Sequence, residues 1–263
     1  MNVDPPFGPV VNGTQIVVFY YYRPNQPAAY TFVALFGLAT LGHLIYLIRL
    51  RSWFFIPFIL GGIAETFGYF GRAQSSNNPI KAGPWILQNF LLLSSPPLLA
   101  ATIYMALGRI IRALDASDHS MISPRWLTKL YILVDIGCLG LIVQLVALSI
   151  FVLLAWQVHR RTKRSPTSVM VKDPSMNWEN HFRCVQLITV AIIVRSIVRM
   201  VEYIQGDGGF VMSHEVFIYL FDAALMFSVM LTYLILHPGR LVRDARRLRK
   251  SHWGLDGTPL VKV

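Results

Sequence analysis

"IVRSIVRMVEY" (193–203) sets two arginines and a glutamate into a run that is otherwise apolar apart from one serine and one tyrosine. Either this is the wet face of a soluble helix, or the charges sit inside a membrane. Of the 263 residues, 54% are hydrophobic and 14% charged, whereas a soluble domain carries about 25% charged residues. The apolar residues gather into stretches near the roughly 20 residues that span a bilayer core. Six stand out, at 29–48, 53–72, 84–107, 130–156, 184–204 and 215–236. Uninterrupted runs of this length suit spanning helices, because barrel strands are shorter and alternate. The sequence therefore predicts an all-α, polytopic transmembrane helix bundle with 193–203 inside the fifth span.

The formal net charge of +11 does not point to nucleic acid, since the basic residues lie between apolar spans rather than on one folded face. They orient the chain instead. Segments 49–52, 108–129, 157–183 and 240–263 hold 19 of the 24 lysines and arginines, so all four are expected in the cytoplasm. Residues 1–28 then form an extracellular or luminal tail, 29–239 the bundle, and 240–263 a cytoplasmic basic tail attracted to anionic lipid. The N-terminal tail shows no signal-peptide pattern, and Asn12-Gly13-Thr14 makes Asn12 a glycosylation candidate.

One conflict remains. Segments 108–129 and 157–183 are both basic, yet a single crossing would put them on opposite sides. The 30 residues from Leu127 to Trp156 reach about 45 Å as a helix, and two crossings need about 60 Å. Either 127–156 has dropped a crossing, or Asp135, Gly137 and Gly140 allow a hairpin shielded by protein.

Several motifs in order suggest a family: "ETFGYFGR" (65–72), the proline pair with "AATIYMALGRII" (96–111), "RMVEYIQGDGGFVMSHEVFIYLFDA" (199–223) and "HPGR" (237–240). Together they resemble the fungal lipid-translocating exporters, or resistance-to-aminocholesterol proteins, over residues 20 to 240. The resemblance implies seven helices, an outside N-terminus, a cytoplasmic tail, and action on sphingoid bases or sterol-like amphiphiles. It also implies separate fourth and fifth helices carrying an aspartate and a Gly-Leu-x-x-Gln pattern. Here Asp135 and "GLIVQ" (140–144) almost touch in sequence, as though the two helices were fused and one of the seven lost.

Glu65, Tyr69 and Arg72 are spaced i, i+4, i+7, which places them along one helix face. Arg195, Arg199 and Glu202 repeat the spacing, and so do Glu215, Tyr219 and Asp222. In the oriented chain all three stripes fall in the outer half of the membrane, with Gln88 as a further polar candidate. A charge at the bilayer centre costs about 3 kcal/mol or more, so such groups face one another, the bundle interior or a wet cavity. Two readings stand side by side: the charges fix helix packing, or they line a cavity whose surplus carboxylate takes a lipid ammonium.

Pro96 and Pro97 remove backbone donors inside the third span and predict a kink or a break. His43 is either a packed, hydrogen-bonded histidine or a proton-sensitive group. Cys138 and Cys184 read as small buried hydrophobes. No Walker loop, dinucleotide fingerprint, zinc-type His-Glu-x-x-His or Gly-x-Ser-x-Gly elbow is present, so no metal, cofactor or ATP-driven pump is expected. A membrane hydrolase with metal ligands drawn from separate helices stays open.

The leading expectation is thus a non-enzymatic transporter of amphiphilic lipids, with membrane lipids as partners and no nucleic acid. The plasma membrane is the expected site and an endomembrane the alternative. The competing readings are a lipid-sensing receptor without transport and an incomplete, non-functional family member. The sequence does not set the oligomeric state.

Overall fold

The computed structural model describes residues 7–11, 14–17, 19–20, 22–77, 79–116, 141–165, 177–205 and 209–252. Within the N-terminal tail, β1 (Phe7–Val11) and β2 (Thr14–Val17) pair as an antiparallel hairpin outside the bundle. Asn12, the glycosylation candidate, and Asp135 lie outside the described residues.

Helix α1 (Gln26–Leu50) starts at Asn25, whose side chain accepts from the Ala28 amide at 3.1 Å and so satisfies one unpaired donor of the first turn. It stops at Arg51, held at φ 48°, while the Ser52 amide donates back to the Leu47 carbonyl at 3.1 Å. That left-handed closure turns the chain within a few residues. A 3-10 turn (Trp53–Phe55) leads into α2 (Ile56–Ser75). Helix α3 (Ala82–Ala113) follows and ends in a similar closure at Asp115, φ 56°. Then come α4 (Leu141–Arg164), α5 (Trp178–Gln205) and the short α6 (Phe210–Ser213). The last span joins α7 (Glu215–Phe217), a π-helical stretch (Ile218–Ala224) and α8 (Leu225–Ile235). His237 breaks it before α9 (Pro238–His252), as the His-Pro-Gly signal predicts.

Five of the described helices are long and apolar enough to cross a membrane, and α4 packs along α5 as a sixth. Leu38, Leu41, Ile45, Phe67, Phe90, Leu153, Leu187 and Ile235 are all exposed. Apolar exposure on this scale requires lipid as the solvent. The chain is a helical integral membrane protein.

Helices α2 and α3 make the tightest seam, because α2 presents glycines to its neighbour. A Cβ at Gly68 would stand 2.7 Å from Leu92 Cδ2, and one at Gly61 2.9 Å from Leu99 Cδ2. Packing of small residues replaces the hydrophobic drive that lipid cannot supply.

The ends of the helices settle the basic segments. Arg240 bonds the Tyr46 hydroxyl, Arg109 lies 4.4 Å over the Phe54 ring, and His237 stacks 4.3 Å from Phe55. The α1–α2 turn, the end of α3 and the start of α9 therefore share one end of the bundle. Helices α4 and α5 run antiparallel, with Lys163 3.6 Å from Glu179 and His159 near Gln186. The base of α5 lies at that same end, since His181 reaches the His237 backbone and Cys184 lies beside Tyr233. Leu141 then stands level with the far end of α5. Residues 108–116 and 157–165 consequently lie at the same end. The fourth span differs from its expected limits of 130–156: α4 runs on to Arg164.

At this basic end His43 is buried, its Nε2 2.9 Å from the Met230 carbonyl and its ring 4.7 Å from Phe58. It is the packed, hydrogen-bonded histidine of the two readings.

Candidate functional site

The three charged stripes meet at the other end. Tyr69 and Arg72 from α2, Arg195, Arg199 and Glu202 from α5, and Glu215, Tyr219 and Asp222 from the last span form one network. Arg72 Nη2 donates to Glu215 Oε1 at 2.9 Å, and Arg72 Nε to the Tyr219 hydroxyl at 3.2 Å. Arg195 Nε is paired with Asp222 Oδ1. Arg199 divides its guanidinium between Asp222 Oδ2 and Glu202 Oε2, both at 3.0 Å. The Tyr69 hydroxyl donates to Asp222 Oδ2 at 3.2 Å, so Asp222 receives two cations and one hydroxyl. Such pairing is what makes charge tolerable inside a membrane.

The prolines enter through Arg195. Pro96 has no amide hydrogen, so the Leu92 carbonyl one turn earlier loses its helical partner. Arg195 Nη2 takes that carbonyl at 2.8 Å. Helix α3 stays continuous from Ala82 to Ala113, with Ser94 bonding the Phe90 carbonyl at 2.7 Å and Ser95 the Gly61 carbonyl at 3.1 Å. Of the kink or break expected at Pro96 and Pro97, the break is ruled out. The pair supplies an acceptor for a buried guanidinium.

Residues 19–25 lace the mouth of the network. Phe19 stacks on Trp85 with centroids 4.9 Å apart, and the Tyr20 hydroxyl donates to Gln88 Oε1 at 2.9 Å. Tyr22 accepts from Arg72 Nη2 at 2.9 Å, and the Asn25 amide donates to Glu215 Oε1 at 2.7 Å. Burial pushes the Tyr20 hydroxyl above its ordinary pKa, against the opposing pull of Ser75 and Arg72. Sequence reasoning missed this strap. Its signal was the aromatic run "FYYYRP" (19–24) just before the first span, where interfacial rings gather.

Beneath the strap lies a cavity of about 60 Å³, walled by Tyr22, Arg72, Gln88, Arg199, Glu202 and Asp222. A space of that size admits water. Glu215, Tyr219 and Tyr69 brace the wall from behind without lining it. Glu65 also stays out of the cavity: it is 0% exposed, and neither carboxyl oxygen has a hydrogen-bond partner among the described residues. No group of three or more histidine, cysteine or acidic side chains placed to hold a metal occurs among the described residues.

Comparison with known proteins bears on this arrangement. The family described as "RTA1 like protein" matches residues 58–139 and 136–245. The break between the two matches falls inside the 127–156 region where the sequence predicts an irregularity. Protoporphyrin uptake protein 1 of Saccharomyces cerevisiae is 31% identical, covering 83% of this chain and 91% of that protein. That alignment runs over 278 positions, more than the 263 residues of this chain, so the relative carries residues that this chain lacks. Protein RTM1 of Saccharomyces cerevisiae is 32% identical over 72% of this chain and 69% of its own length. The sphingoid long-chain base transporter RSB1 of the same yeast is 23% identical over 82% and 72%. No solved structure matches. Matched by the family over most of its length and by a relative along nearly all of that relative's sequence, this chain belongs to the RTA1-like family of membrane proteins.

Proposed function

We propose that this protein moves amphiphilic lipids of the sphingoid long-chain-base class across the plasma membrane, with the strap outside and α9 in the cytoplasm. The observation that carries the reading is the cavity, a charged recess at one end of helices whose flanks are apolar. A long-chain base has the matching chemistry: a small ammonium and hydroxyl head on a single tail. The head enters this recess from its open side, while the tail lies along exposed faces such as Val216 and Leu220. Glu202 at the rim takes the ammonium, and Gln88 and Arg199 take the hydroxyls. Arg195 and Asp222 hold the wall, with Tyr69, Glu215 and Tyr219 fixing its register.

Two further observations support this. A family relative is named a sphingoid long-chain base transporter, and the basic segments gather at the end opposite the recess, as a cytoplasmic face requires. Another relative is named for a tetrapyrrole, a rigid macrocycle without the single-tail, small-head form of a long-chain base.

The test is transport by purified protein in liposomes, with a fluorescent long-chain base and protoporphyrin as parallel cargoes. Acceleration of the long-chain base, lost in Glu202→Gln, is the expected result. Binding without accelerated movement makes the protein a receptor and ends the transport reading. Movement of protoporphyrin alone overturns the cargo assignment.

A further inference from the structure

We infer that Glu65 is a proton-carrying site of this protein, set behind the cavity wall and exchanging its proton in competition with Asp222 for Arg195.

The argument begins with a charge balance. The buried network holds three guanidinium groups, and all three are committed: Arg72 to Glu215, Arg195 to Asp222, and Arg199 to Asp222 and Glu202. Among the described residues Glu65 is the fourth carboxyl at this end of the bundle, and none of those cations is bonded to it. Its side chain is 0% exposed, and both oxygens lack a hydrogen-bond partner among the described residues. An isolated carboxylate out of water is so unfavourable that such a group takes up a proton instead. Glu65 is therefore held as the neutral acid.

Its surroundings explain why that proton is exchangeable. On its own helix, Tyr69 lies one turn away and gives its hydroxyl to Asp222, and Arg72 lies a turn beyond. From α1 come Thr40, whose hydroxyl is spent on the Phe36 carbonyl, and, towards the basic end, His43, which is bonded to the Met230 carbonyl. From α3 comes Ser95, whose hydroxyl bonds the Gly61 carbonyl one turn before Glu65 and stands close enough to turn to the carboxyl when it ionises. Helix α5 presents Arg195 and Arg199, and the last span presents Asp222; all three lie within electrostatic reach of Glu65. Arg195 and Asp222 also border the water-sized cavity.

When the Glu65 carboxyl loses its proton, handed on to water through Asp222, which borders the cavity, only O–H bonds are broken and made and one negative charge appears beside Arg195. Two carboxylates then contend for one guanidinium. Arg195 moves from Asp222 towards Glu65, and the tie between α5 and the last span loosens. Reprotonation restores the pairing described above. Asp222 sits in the π-helical stretch Ile218–Ala224, a geometry that recurs at functional sites, so the released partner lies in the segment least committed to regular helix.

The coupling of this proton to cargo movement rests on the transport reading above; the existence of the proton site does not. Two measurements on full-length protein in lipid separate them. Infrared difference spectroscopy across a pH jump is expected to show a protonated carboxyl band that disappears in Glu65→Gln and persists in Glu202→Gln. The second measurement uses proteoliposomes and an N-trimethyl long-chain base, whose fixed charge prevents the probe from distributing with pH by itself. For one proton per cargo, a gradient of one pH unit shifts its steady-state distribution about tenfold. Glu65→Gln loses that shift, and Glu65→Asp, which keeps a carboxyl, retains part of it. A spectrum unchanged by Glu65→Gln overturns the proton site. A gradient response unchanged by Glu65→Gln overturns the coupling. If the wild-type protein moves no probe at all, the transport reading and the coupling both fall, and the infrared band alone decides whether Glu65 carries a proton.

Discussion

Replacing Asp222 by asparagine keeps the side-chain size and removes one charge, so it isolates what the carboxylate does. Asp222 receives Arg195 Nε, Arg199 Nη2 at 3.0 Å and the Tyr69 hydroxyl at 3.2 Å. Arg199 keeps a second carboxylate, Glu202, at 3.0 Å. Arg195 keeps only the neutral Leu92 carbonyl at 2.8 Å, and it is 2% exposed. Made in a Glu65→Gln background, so that Glu65 cannot ionise and replace Asp222, the variant leaves essentially one uncompensated buried cation, which costs about 3–5 kcal/mol. Against a folding stability of about 5–15 kcal/mol, that is a large loss. Chemical unfolding of the purified protein in a fixed detergent, followed by tryptophan fluorescence, measures it. Removing the cation as well, in Arg195→Met/Asp222→Asn, is expected to recover at least half, because the two residues act as one unit. A cost below about 1 kcal/mol for Asp222→Asn, or a double variant as unstable as the sum of its singles, would refute the pairing argument.

Three further outcomes follow from the packing. Pro96→Ala restores an amide that competes for the Leu92 carbonyl; it removes an interior helix proline worth about 3 kcal/mol while weakening a charge-assisted bond worth about 1.5–3 kcal/mol. The unfolding midpoint should move little while transport falls, and a large gain in stability with unchanged transport would show that Arg195 does not need that carbonyl. Gly68→Leu drives a side chain into Leu92, which already lies 2.7 Å from the position of a Cβ; a loss of about 1–3 kcal/mol is expected in the same unfolding assay. Arg51→Gly relieves a left-handed residue at φ 48° and should raise stability by up to about 1 kcal/mol, with the unchanged Arg49 preserving orientation when the tail is tagged.

The spans and the polar stripes were legible because both obey simple rules. Apolar runs reveal the bilayer, and the i, i+4, i+7 spacing of Glu65/Tyr69/Arg72 survives whatever the helix packs against. What the pattern could not give was pairing. Counting charges left a surplus carboxylate in the set, but only three-dimensional placement shows that Asp222 serves two arginines while Glu65 serves none. The strap was hidden for a different reason: residues 19–20 and 22–25 belong to no periodic element, and their long-range hydrogen bonds reach 50 to 194 positions along the chain. The end of the fourth span was misplaced as well. Hydropathy ended the fourth span at the first basic residues, whereas α4 continues through Arg160, Arg161 and Lys163 to Arg164, with Arg160 lying over the Trp156 ring at 3.7 Å. Long cationic side chains let a helix run on into the headgroups without breaking.

The wide helical turn at Ile218–Ala224 also has a genealogical meaning. A π-helical stretch carries more residues per turn than the α-helix it interrupts, and adding or removing one residue rotates everything beyond it by about 100°. Glu215 lies before the stretch and the buried Met226, Val229 and Tyr233 beyond it. Losing a single codon there would therefore turn Met226, Val229 and Tyr233 out of the core, or else swing Glu215 and Asp222 away from their arginines. The length of this one segment is thus a heritable setting, and a relative that keeps both the carboxylates and the buried lower face is expected to keep the extra residue too.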